Sequence, residues 1–123
     1  MPELFVPEIV AREDGTSDDI ALGKTSGKPL LLTLGITRIL QQESLDVSIW
    51  GSADREQWRQ IAAYPQKFYC GTYLLLLDLS RQLHIRYVRV QWRMGRWGEM
   101  EPKQVVGFYV AAEELKYQTA GAA

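Results

Sequence analysis

Two stretches constrain this chain more than any other part of it: Leu45 to Trp50, LDVSIW, and Ile85 to Trp92, IRYVRVQW. Apolar and polar side chains alternate along both. A period of two sends successive side chains to opposite faces of an extended strand, so each stretch predicts a strand with one face in a core. In the first, Leu45, Val47 and Ile49 share one face; Asp46, Ser48 and Trp50 share the other. In the second, Val88, Val90 and Trp92 turn to the core, and Tyr87, Arg89, Gln91 and Arg93 line the opposite side.

The remaining segments fit the same scheme. Glu3 to Arg12 predicts a first strand with Leu4, Val6 and Ile9 or Val10 as its apolar positions. Pro2 and Pro7 cannot donate ladder hydrogen bonds, which places that strand at a sheet edge or bends it. Leu30 to Leu40 predicts a strand with Leu32, Leu34 and Ile36 facing in; Gly35 and two threonines argue against a helix. Trp58 to Tyr64 reads as a short return strand. Tyr73 to Leu79 reads as another, its leucine run implying burial on both faces. Val105 to Leu115 completes the set. Residues 14–29 are rich in Gly, Ser, Thr and Asp and form the longest loop. No repeat or linker divides the chain. The expected architecture is all-β: an antiparallel jelly-roll β-sandwich of about seven to eight strands, one domain over residues 1–116, with 117–123 as a flexible tail.

The 123 residues carry a formal net charge of −1, so whole-molecule attraction to nucleic acid or to an anionic membrane is not expected. Cys70 is the only cysteine. An internal disulfide and a cysteine-based metal site are therefore excluded, and Cys70, at the start of an apolar run, is expected as a buried small hydrophobe. The N-terminus lacks the positive start and long apolar core of a signal peptide, and no stretch reaches the roughly 20 apolar residues of a membrane-spanning helix. The expected compartment is the cytoplasm, with no membrane partner.

Catalytic patterns are missing. His84, the one histidine, leads into a strand and reads as structural or surface. No Gly-x-Ser-x-Gly elbow occurs. GKTSGK, from Gly23 to Lys28, contains the GKT of a phosphate loop without its preceding spacing, and Pro29 follows where a helix should begin. Glu113 and Glu114 fall on opposite faces of a strand end. Asp14, Asp18 and Asp19 make an oxygen-rich loop over residues 13–19 whose spacing does not match an EF-hand; it reads as a solvated acidic loop rather than a calcium site. The expectation is no enzyme, no cofactor and no metal.

The turn after the first stretch, WGSADREQW, holds Ser52, Asp54 and Trp58 at the spacing S-x-D-x-x-x-W; near the other end stand Ile85, Arg86, Tyr87, Val88, Arg89 and Val90. Over about residues 45–110 the chain resembles the discoidin-like (F5/8 type C, galactose-binding-like) β-sandwich domains. Those domains have an S-x-D-G-x-x-W turn and an A-R-Y-I-R-I-like strand. The resemblance implies a jelly-roll scaffold and, as an alternative function, carbohydrate binding. Arg55 stands where the family has its turn glycine. The paired cysteines of secreted members are absent, and no counterpart of the ligand loops is present in the N-terminal half, so no binding site carries over.

Arg81, Arg86, Arg89, Arg93 and Arg96 are interrupted by no acidic residue between Asp78 and Glu99. Tyr87, Arg89, Arg93, Arg96 and Trp97 are the candidate binding residues, because arginine and aromatic side chains dominate protein contact surfaces and also suit sugars. Cross-strand Arg–Glu pairs on a solvated face would produce the same pattern. Trp97, on a Gly- and Pro-bearing loop, is either an exposed contact or a lid over one end of the sandwich. The first twenty residues hold six carboxylates against Arg12 alone. Such complementary charge pairs either between copies or within one molecule. The expected function is a non-catalytic interaction module in protein assembly, self-associating as a homo-oligomer through the Arg/Trp surface. The alternative is a carbohydrate-binding module of discoidin-like type; nucleic acid is disfavoured.

Overall fold

The period-two segments become nine strands in a computed structural model that describes residues 3–96 and 105–115. They are β1 (Glu3–Ala11), β2 (Gly15–Thr16), β3 (Ile20–Ala21), β4 (Pro29–Ile39), β5 (Glu43–Ser52), β6 (Arg59–Ala63), β7 (Gly71–Asp78), β8 (Tyr87–Arg96) and β9 (Val106–Glu114). Two short 3₁₀ turns, Gly23–Thr25 and Leu79–Arg81, are the only helical elements among the described residues. The tail predicted over 117–123 lies outside the described residues.

All pairings are antiparallel. One sheet runs β1-β9-β4-β7; the other runs β2-β8-β5-β6, with β3 also on β8. The pieces β2 and β3 are one interrupted edge strand. Ser17 keeps the ladder alive between them, its N–H donating to the Val90 carbonyl at 2.7 Å and its Oγ accepting from the Val90 N–H at 2.9 Å. With that strand counted once, eight strands lie in the orders 1-8-3-6 and 2-7-4-5, the double Greek key of a jelly roll.

The core lies between the two sheets, where alternate side chains meet. Leu32 and Leu34 of β4, Leu45 and Ile49 of β5, Val88 and Val90 of β8, and Phe108 and Val110 of β9 are fully buried. Burial of this kind is worth about 1.5–3 kcal/mol for each large apolar side chain. Trp92 closes the layer edge-on against Phe108, ring centroids 5.4 Å apart.

Three local expectations change. In β1 the buried residues are Phe5, Val6 and Ala11, while Leu4 and Val10 are exposed. The pairing with β9 slips between Leu4 and Val6 and again between Val6 and Ile9, around Pro7, so simple alternation fails there. The leucine run of β7 is not buried on both faces: Leu77 is covered, but Leu74 is 63% and Leu76 52% exposed. β7 is an edge strand of an antiparallel sheet, and only one of its faces meets the core. Cys70 is exposed, because it sits in the turn before β7 rather than on the core face.

Candidate functional site

The turn from Ser52 to Trp58 is built by its own side chains. Asp54 Oδ1 accepts from the N–H groups of Glu56 at 2.9 Å and Gln57 at 3.0 Å, and from Ser52 Oγ at 3.0 Å. Ser52 Oγ accepts in turn from the N–H of Arg55 at 2.9 Å and of Asp54 at 3.2 Å. Hydrogen bonds from Gln57 and Glu56, then Ser52, hold the Asp54 carboxyl below the ordinary carboxylate range. The chain thereby turns back and delivers Trp58 to the outer face of the second sheet.

There Arg89 meets it. Its guanidinium lies 3.9 Å from the centre of the Trp58 ring and donates to Asp19 Oδ1 through Nη2 at 2.8 Å and Nε at 3.1 Å. Arg55 reaches Asp19 Oδ2 at 3.4 Å and lies 5.5 Å from the Tyr87 ring. The bond from Arg89, aided by Arg55, holds the Asp19 carboxyl low. Two of the five candidate binding residues, Tyr87 and Arg89, are thus engaged within the protomer. Arg93 is exposed opposite Asp46 in register and forms no ion pair among the described residues. Arg96 ends β8 opposite Glu43. Trp97 lies outside the described residues.

The acidic segment is tied to the same strand. Asp14 Oδ1 accepts from the Met94 N–H at 2.7 Å, and the Glu13 carbonyl accepts from Trp92 Nε1 at 3.1 Å. Gly15 permits this: a Cβ there would fall 2.4 Å from the Trp92 ring. Acidic loop and arginine strand therefore pair inside one molecule, the second of the two arrangements open to the sequence. No group of three His, Cys, Asp or Glu residues placed to hold a metal ion occurs among the described residues.

Beside the turn lies an open cleft of about 350 Å³ with Asp54, Gln57, Trp58, Arg59 and His84 on its walls. His84 is exposed and hydrogen-bonds to no nucleophile or carboxylate among the described residues. Asp54 is committed to backbone amides. The cleft offers hydrogen-bonding groups and an indole rather than an acid–base pair.

A second surface was hidden in the sequence by its uniformity. Of seven large apolar residues left exposed among the described residues, five lie in β7 or beside it: Phe68, Tyr69, Leu74, Leu76 and Leu83. On the outer face of the first sheet, Leu74 stands opposite Thr33, Thr33 opposite Ala111, and Ala111 opposite Leu4, an uncharged row across four strands. The sequence also gives no hint of Glu43, whose carboxylate is buried and accepts from the N–H groups of Leu40 at 2.8 Å and Val105 at 2.9 Å.

No family model and no curated protein matches this chain. Among solved structures, a chain in the structure of infectious bursal disease virus, Gt strain, is similar over 90% of this chain, with a TM-score of 0.53 and 10% identity. This chain spans 31% of that one. The likeness is one of fold. No helix among the described residues is long and apolar enough to cross a membrane.

Proposed function

We propose that this protein is a non-catalytic β-sandwich interaction module that acts in protein assembly and associates with itself. The observation that carries this reading is the concentration of exposed apolar side chains along β7 and its flanks, Leu74 and Leu76 above all. An exposed apolar patch of this kind marks a contact surface. The contact belongs there rather than on the arginine row, because Arg89 and Tyr87 already have partners in their own protomer. The fold-level likeness to a chain of a virus structure supports the assembly reading in a general way. Size-exclusion chromatography with light scattering tests it. A mass above that of one chain at tens of micromolar is expected; a strict monomer at every concentration and salt level contradicts it.

A second reading, carbohydrate binding, is favoured by the cleft at Trp58, Gln57 and His84 and by the discoidin-like turn beside it. Here the sugar would meet Gln57 and His84 beside the indole. Titration with mono- and oligosaccharides, followed by tryptophan fluorescence, tests it. No change at millimolar sugar removes it.

A further inference from the structure

An antiparallel sandwich has four borders, and this chain protects three of them. β1 carries Pro7 and two slips of register. The β2/β3 border is two pieces of two residues each. β6 has five residues, carries Arg59 and pairs irregularly beside Trp50. Proline, breaks, shortness and charge are the usual protections of a sheet edge. β7 has none of them before its last residue, Asp78. Its eight residues pair with β4 without a slip from Asp78 opposite Pro29 to Gly71 opposite Ile36, and no charged residue precedes Asp78. Among the described residues no backbone group of Gly71–Leu77 bonds to anything but β4. Every second residue therefore directs its N–H and C=O outward.

We infer that β7 pairs antiparallel with β7 of a second copy, with Leu75 on the two-fold axis, joining two four-stranded sheets into one of eight. This rests on the self-association proposed above and names its contact. The occupant follows from the strand's own symmetry. Seven of the eight residues of β7, Thr72–Asp78, are centred on Leu75, so these seven overlap fully and only Gly71 of each copy overhangs. Leu74 of each copy then faces Leu76 of the other on the outer face, Tyr73 faces Leu77 on the inner face, and Asp78 faces Thr72 rather than a second carboxylate. A shift of one residue would put outward and inward side chains opposite one another. Antiparallel pairing also runs Phe68 and Tyr69, which precede β7, toward the partner's Leu83, which follows it, so the remaining exposed apolar groups converge at both ends of the ribbon. The contact is isologous and the opposite border, β1, is blocked, so assembly through this edge closes at two copies.

The test uses two sets of variants. Leu74→Lys with Leu76→Lys changes side chains already exposed in one protomer, so circular dichroism should report an intact fold, while sedimentation velocity should show loss of the dimer. In a Cys70→Ser background, chains carrying Leu74→Cys and chains carrying Leu76→Cys should form a disulfide when mixed under mild oxidation, and neither should link to itself. Directly opposed residues of an antiparallel pair lie within disulfide reach. A wild-type monomer overturns both this inference and the assembly reading. A wild-type oligomer that the lysine pair leaves intact overturns the β7 contact alone, and self-linking of the Leu74→Cys chain overturns the register.

Discussion

Arg89 and Asp19, 70 positions apart in the chain, are joined by two hydrogen bonds of 2.8 and 3.1 Å, and this contact fastens the acidic N-terminal segment to the arginine strand. The Trp58 ring under the guanidinium fixes its plane. Asp19→Ala should therefore destabilise the fold, and so should Arg89→Ala. In urea denaturation the double substitution should cost less than the sum of the two single ones, because either change alone already breaks the contact. Strict additivity would show that the pair is decorative.

Acid should weaken the fold in a definite window. The Arg89 bond holds Asp19 low, the Gln57 and Glu56 amides hold Asp54 low, and the Ser80 hydroxyl and amide hold Asp78 low. A carboxylate depressed in the folded state binds its proton more readily in the unfolded chain. Stability is thus fully present above the ordinary carboxylate range and falls as pH drops through that range toward the lowered values. Thermal melts from neutral pH downward should be flat and then decline below about pH 4–5. Asp54→Asn should shrink the decline; a variant with the same acid limb as wild type would exclude Asp54 as a contributor.

Arg55 has φ +67°, the left-handed region that favours glycine. Arg55→Gly relieves that conformation and gives up the 3.4 Å contact with Asp19, so the melting temperature should hold or rise. Arg55→Val places a β-branched side chain there and should cost about 1 kcal/mol or more. Equal melting temperatures for the two variants would contradict the backbone account.

Glu43→Ala removes the acceptor for two N–H groups, those of Leu40 and Val105, at a buried site. Stranding both should lower stability by about 2–3 kcal/mol in chemical denaturation. A loss below about 0.5 kcal/mol would mean that solvent reaches those amides once the side chain is gone.

The core was legible because its residues differ in kind from their neighbours. Leu45, Val47 and Ile49 alternate with Asp46, Ser48 and Trp50, and burial follows the alternation. The Ser52–Asp54 turn was legible because its bonds span two or three residues. β7 was not, since four successive leucines have one hydropathy, and whether Leu74 or Leu75 faces solvent depends on which strands flank β7. β1 misled through the slips around Pro7. Asp19 and Arg89 lie too far apart for local pattern to pair them, and Glu43 looks like any polar turn residue until the chain near Val105 closes over it.

Amide hydrogen exchange across residues 72–78 tests the central claim most directly. In an isolated protomer the outward N–H groups of β7 face solvent; in the paired form they are bonded to the second copy. Protection of this strand should rise from low micromolar to hundreds of micromolar protein, while β4, bonded on both sides already, stays unchanged. Exchange in β7 that is fast and independent of concentration would contradict assembly through this edge.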